Sequence, residues 1–182
     1  MKRKAAMLAL ALLFMLAANL RLCYRVYVDG ERCEGLYSRR AVSRGTEAAR
    51  AAAEELLPGE AILPEIRKRP SLTLRKPESS GAELCGAILS RTEGVARLYS
   101  VSAGGICFGT VAEPEKLEEK LRASLYSRMP PTSGHARFAE PIELRPVFSR
   151  VGTDTPFREM AQLVSGAVPA IITDGEGHII QG

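Results

Sequence analysis

The chain reads as an α+β protein: an N-terminal signal-anchor helix, then two ββαβα repeat units with small antiparallel sheets covered by helices. Three observations predict it. A basic tip precedes one apolar run, a β-hairpin pattern occurs twice about 75 residues apart, and an Ala/Glu- or Leu-rich helical stretch follows each hairpin. With 182 residues, 46% of them hydrophobic, 25% charged and none of them Trp, the chain is long enough to bury one core or two small ones. That composition excludes a disordered tail, and sixteen Gly, eleven Pro and the lack of heptads exclude a fibre or coiled coil.

The first element is targeting-like. Lys2-Arg3-Lys4 leads into Ala5 to Leu20, broken only by Asn19 and closed by Arg21, which are the n-region and h-region of a secretory signal. Residues 1–23 are therefore expected to be a signal peptide or signal anchor. A comfortable span needs about 20 apolar residues, so both fates fit the length. Leu16 stands where a peptidase site after Ala18 wants a small residue, which favours an uncleaved anchor through residues 5–20 in the cytoplasmic membrane. The positive tip stays inside, so the remainder is extracytoplasmic, or secreted if the signal is cut. Cys23 then falls at the membrane surface. The same basic tip accounts for most of the net charge of +4: without it 22 basic residues face 21 acidic ones, too even a balance for nucleic-acid binding.

The first unit, residues 24–94, opens with Tyr24-Arg-Val26-Tyr-Val28, whose alternation and Asp29-Gly30 turn predict a hairpin returning through Cys33-Glu-Gly35-Leu36-Tyr37. Ala41 to Leu57 predicts a helix stopped by Pro58-Gly59; Ser71 to Arg75 predicts a strand, and Gly81 to Arg91 a shorter helix. The second unit, residues 95–168, repeats the order. Tyr99 to Ala103, a Gly104-Gly105 turn and Cys107 to Val111 form the hairpin, with one residue fewer that is assigned to the turn. Pro114 to Tyr126 is helical, with Leu117, Leu121 and Leu125 on one stripe; Pro141 to Arg145 is a strand, and Thr155 to Ser165 a helix with Asp154 as N-cap. Residues 169–182 begin the hairpin pattern again, as a closing strand pair or the start of a third unit in a longer chain.

Few residues carry chemistry. Four cysteines in an extracytoplasmic chain suggest disulfides; Cys33, Cys85 and Cys107 are the candidates, as Cys33–Cys85 or Cys85–Cys107, against the simpler reading of buried thiols. No Cys-x-x-Cys occurs, and neither His135 nor His178 starts a ligand pair, so no metal or other cofactor is expected. Nucleophile and phosphate-loop motifs are missing, and the glycines at 104, 105 and 109 serve a turn, so the chain is read as a non-enzyme. Arg67, Lys68, Arg69, Arg75 and Lys76 form a basic run, a candidate contact for anionic headgroups or anionic wall polymers. With Pro64, Pro70 and Pro77 around it, the run also reads as a solvated edge strand.

The signal anchor, the Tyr24 to Gly30 stretch and the second unit from Tyr99 resemble the non-catalytic N-terminal repeat region of lysostaphin-like zinc endopeptidases of walled bacteria. The resemblance covers nearly the whole chain and rests on apolar alternation around an Asp-Gly turn. It implies an extracytoplasmic spacer or interaction module ahead of a domain that cuts peptidoglycan peptides. None of that family's zinc-ligand motifs has a counterpart here, so no catalytic residue carries over. Peptidoglycan, an anionic wall polymer or an envelope protein is the implied partner. A self-contained partner-binding envelope subunit is the alternative.

Overall fold

A computed structural model describes Met15, residues 19–77, 79–130 and 134–174, Glu176 and residues 178–181. Most of the expected anchor lies outside the described residues. Among those described, no helix is long and apolar enough to cross a membrane. Among the described residues the fold is α+β, with four helices and three small antiparallel sheets. It divides into two compact units, Met1–Val95 and Ala96–Gly182, one residue from the boundary expected between the repeats.

In the first unit β1 (Arg21–Val28) lies between β2 (Glu31–Arg32) and β3 (Ile66–Thr73), both antiparallel to it. Asp29 (φ 49°) and Gly30 (φ 81°) both take positive φ, the type I′ geometry whose twist matches a two-residue hairpin. The strand starts at Arg21, so residues 21–23, expected at the end of the signal segment, are strand in this structure. Cys23, expected at the membrane surface, is fully buried in that strand, with its thiol donating to the Ser71 carbonyl (3.1 Å).

The returning hairpin strand is shorter than expected. After Arg32 and a Cys33 N–H bond to the Val26 carbonyl, the chain bulges through Glu34, Gly35 and Leu36 and rejoins at Tyr37, bridged to Tyr24. Gly35 (φ 79°) permits the bulge, since a Cβ there would overlap the Ser79 hydroxyl.

Helices α1 (Arg39–Leu56) and α2 (Gly81–Leu89) cover the sheet. Ser38 caps α1 by accepting from the Ala41 N–H. In α2, Ser80 and Glu83 form a full capping box, each side chain accepting from the other's backbone N–H. Replacing Ser80 with Ala removes one acceptor at an otherwise orphaned donor and is expected to lower first-unit stability by about 1 kcal/mol, read from chemical denaturation. The helices touch almost backbone to backbone. A Cβ on Gly45 would lie 2.7 Å from the Gly81 carbonyl oxygen and 3.0 Å from the Leu84 Cβ.

The second unit repeats this plan with additions. β4 (Val95–Ala103) lies between β5 (Ile106–Val111) and β7 (Ile142–Arg150); α3 (Pro114–Ser127) and α4 (Phe157–Ala167) pack with them. Gly104 and Gly105 form the same positive-φ turn as Asp29-Gly30. The one-residue difference between the hairpins is therefore not in the turn. It lies in the bulge, where the register moves from Ser102↔Cys107 to Val101↔Gly109, and Gly109 (φ 132°) stands where the first unit has Gly35.

Helix α4 starts two residues later than expected, because Pro156 is extended (ψ 136°) and Thr155 donates its N–H to the Thr110 carbonyl instead of entering the helix. Asp154 is not its N-cap. The unit's core is Val101, Val111, Leu117, Leu121, Met160 and Val164.

One strand was not expected. β6 (His135–Phe138) pairs with β8 (Ala170–Thr173), which pairs with β9 (Ile179–Gln181), so the predicted third hairpin forms within the second unit as its own sheet. The second unit is thus not a plain ββαβα repeat: an extra strand stands between α3 and β7 because β8 supplies a partner for it.

Candidate anion-binding surfaces

Strand geometry divides the basic run. Successive side chains leave a strand on opposite faces, and the register sets Lys68 beside Val26, Arg69 beside Arg25, and Arg67 beside Tyr27. Tyr24 and Lys68 share a groove with α1, so the even-numbered positions face the helices and the odd-numbered ones face away. Arg67 and Arg69 therefore lie on the outer face, and Lys68 on the inner one. Arg75 and Lys76 follow the end of β3, outside the ladder. The five residues read as one stripe in sequence are three separate groups in space.

The outer face gains residues that the linear run did not include. Arg21 and Arg25 of β1 and Arg32 of β2 join Arg67 and Arg69 there, and all five are exposed. Tyr27 sits among them, with the Arg69 guanidinium 5.3 Å from its ring centre. Arg67 is held by both carboxylate oxygens of Glu65 (2.8 and 2.9 Å), a pair that lowers the Glu65 pKa and raises that of Arg67 through hydrogen bonding. Arg25 and Arg69 are direct cross-strand neighbours of like charge, an arrangement that costs stability when nothing neutralises it. No ion pair with either forms among the described residues.

On the inner side, a groove of about 610 Å³ runs between α1 and the edge strand. Arg39, Ser43, Glu47 and Arg50 fall on one helical face at spacings of four, four and three, opposite Lys68, with Tyr24 and Val42 also lining the groove. Sequence reasoning missed Arg39 and Arg50. Their helical spacing was visible, but their meeting with Lys68 depends on how α1 lies over the sheet.

All four cysteines are free thiols, so the expected disulfides are not formed in this structure. Cys33 is buried beside Arg91, which is paired to Glu31 at 2.5 Å. Burial pushes the Cys33 thiol pKa up, partly opposed by the Arg91 charge, and burial likewise raises Cys85. A raised folded-state pKa stabilises the fold at pH values below the thiol's ordinary range, and that contribution is lost as pH rises through the folded value. First-unit stability is thus expected to fall above about pH 9, and less so in Cys33→Ala measured relative to its own neutral-pH value. Cys107 is exposed and Cys23 and Cys33 are buried, so alkylation followed by mass spectrometry is expected to label Cys107 first.

In the second unit an open cleft of about 730 Å³ is lined by α3, β6 and β7: Leu121, Leu125, Phe138 and Ile142 provide apolar walls, with Arg122 and Arg137 among its charges. His135 is exposed on β6, and the His178 ring lies 3.3 Å from an Asp174 carboxylate oxygen and 3.8 Å from one of Glu176. Among the described residues no cluster of three or more His, Cys, Asp or Glu side chains could hold a metal ion. Compared with known proteins, the chain matches no family model, no curated protein and no solved structure.

Proposed function

We propose that the chain is an extracytoplasmic, membrane-anchored, non-catalytic module of a cell-envelope protein, serving as a spacer and interaction region ahead of a peptidoglycan endopeptidase domain. Residues 5–20 act as the anchor. The observation that carries this reading is the concentration of cationic side chains in the unit that follows the apolar segment: five arginines on one face of its sheet, and Arg39, Arg50 and Lys68 on the other side. Such a surface suits a phosphate- or carboxylate-bearing layer. Anionic wall polymers, peptidoglycan and anionic lipid all offer that chemistry in an envelope.

Fusing a periplasm- or surface-active reporter after Gln181 tests the placement. Reporter activity outside the cytoplasm, with the chain in the membrane fraction, is the expected result. A soluble cytoplasmic product would overturn the proposal. The cleft beneath α3 favours a second reading, a partner-binding envelope subunit, because apolar walls with a charged rim suit a protein segment better than a hydrophilic polymer. Retention of one stoichiometric envelope protein, lost in Leu125→Glu, would support that reading over the first.

A further inference from the structure

The even-numbered face of the first sheet changes character along its length. Its rungs run Val26 with Lys68, Tyr24 with Pro70 and Leu22 with Leu72. Alternate residues of a strand point the same way, so the register sets all six side chains on one face. At one end Lys68 meets Arg39 and Arg50 across the groove beside α1. At the other, Leu22 and Leu72 are 57% and 65% exposed, and Leu20 and Leu74 are exposed just beyond that last even-numbered rung.

The groove end has more positive charge than its lining neutralises. Arg39, Arg50 and Lys68 stand against Glu47, and none of the three cations forms an ion pair among the described residues. Ser43 donates its hydroxyl to Glu47 (3.1 Å), so three charged donors remain for an incoming anion. Tyr24, half-buried between the two ends, has an amphipathic ring that suits a boundary between polar head and apolar chain. A free phosphate would use the cations and leave the leucines in water; an apolar peptide would do the reverse. A molecule with both parts uses the whole face. Lys68 and Leu72 are four residues apart, about 13 Å by the strand rise, comparable with the roughly 15 Å of one leaflet's hydrocarbon layer. From this juxtaposition we infer that the face binds a phosphate-headed anionic lipid, its head among Arg39, Arg50 and Lys68 and an acyl chain along Leu22 and Leu72. The inference rests on the anchored reading proposed above, which puts the first unit next to lipid, and assigns a site and a ligand class to it.

Lys68 reports on the groove directly, and Lys120 of α3, also exposed, is its internal control. The full chain in neutral-detergent micelles is acetylated briefly, and each lysine is scored by mass spectrometry. Three probes are compared at one total concentration: phosphatidic acid, with head and chains; glycerol 3-phosphate, the head alone; and phosphatidylcholine, chains with a neutral head. Phosphatidic acid is expected to slow Lys68 acetylation by about fivefold, the occupancy reached at a few times Kd, with Lys120 unchanged. Glycerol 3-phosphate should slow it by less than about twofold, and phosphatidylcholine not at all. Arg39→Gln with Arg50→Gln should abolish the protection, while Arg97→Gln with Arg122→Gln in the second unit should leave it intact. Leu22→Ser with Leu72→Ser should reduce protection by phosphatidic acid to the level given by glycerol 3-phosphate.

Equal protection by glycerol 3-phosphate and phosphatidic acid would overturn the proposal and assign the groove to a soluble phosphate. Equal protection by phosphatidylcholine, or none by any probe, would also overturn it. The three probes on the unsubstituted chain decide this without any variant, should one of the substitutions disturb the sheet. Anchoring is scored separately by the reporter fusion. A cytoplasmic reporter overturns the anchored placement, while Lys68 protection by phosphatidic acid still upholds the site.

Discussion

Gly45→Leu is expected to destabilise the first unit by about 3 kcal/mol, and Gly45→Ala by less but in the same direction. A glycine inside a helix ordinarily costs about 1 kcal/mol relative to alanine, so local preference alone predicts that alanine stabilises. The contact decides otherwise. The new Cβ would lie 2.7 Å from the Gly81 carbonyl oxygen, a backbone atom of α2 that cannot rotate away, and 3.0 Å from the Leu84 Cβ. Relief requires the two helices to move apart, opening the core around Leu84 and Ile88, both fully buried. Gly166 in α4 is the control: nothing lies within 4 Å of its added Cβ, so Gly166→Ala is expected to stabilise by up to about 1 kcal/mol. Urea denaturation of both variants gives the two signs. A stabilising Gly45→Ala would show that α1 and α2 are not in close contact.

Leu117→Ala should cost the second unit about 2–5 kcal/mol. Leu117 is fully buried among Leu121, Val101, Val111, Met160 and Val164, so truncation loses the transfer free energy of the removed groups and leaves a cavity that α4 and the strands β4 and β5 resist closing. Leu163, on α4 and 48% exposed, is expected to change stability by less than about 1 kcal/mol on the same substitution. Because the chain has two compact units, amide exchange of the α3 and α4 backbones is the suitable readout, since it scores the second unit by itself. Similar losses for both variants would place Leu117 outside the core.

Elements governed by local rules were legible in the sequence. The Asp29-Gly30 and Gly104-Gly105 turns, the Pro114 start of α3 and its Leu117/Leu121 stripe all follow from residue conformational preference and short-range period. What needed tertiary information was not. β6 spans only His135–Phe138, and its partner is Ala170–Thr173, so periodicity over four residues could not distinguish it from a loop. The bulges at Gly35 and Gly109 explain the offset between hairpins, yet a one-residue difference reads equally well as a shortened turn.

The candidate surface was half legible. The Arg67 to Arg69 run was visible, but closeness along a strand separates side chains between faces, and period two, applied to Arg21, Arg25 and Arg32 as well, was the available signal for the face they share. Cys23 was placed by its distance from the apolar run, whereas its pairing partner Ser71 is 48 residues away.

The separation of Arg25 and Tyr27 from Val26 and Val28 onto opposite faces of β1 has a further effect, on pairing fidelity. Sliding β3 by one residue against β1 would turn Arg67 and Arg69 toward α1 and Lys68 away from it, bringing two guanidinium groups to the helix-covered side that now receives one edge lysine. The same charges that repel across the ladder therefore penalise its nearest misalignment more heavily. A chain with apolar residues at 67 and 69 would lose that discrimination, and its edge strand would be free to pair in two registers or with another molecule.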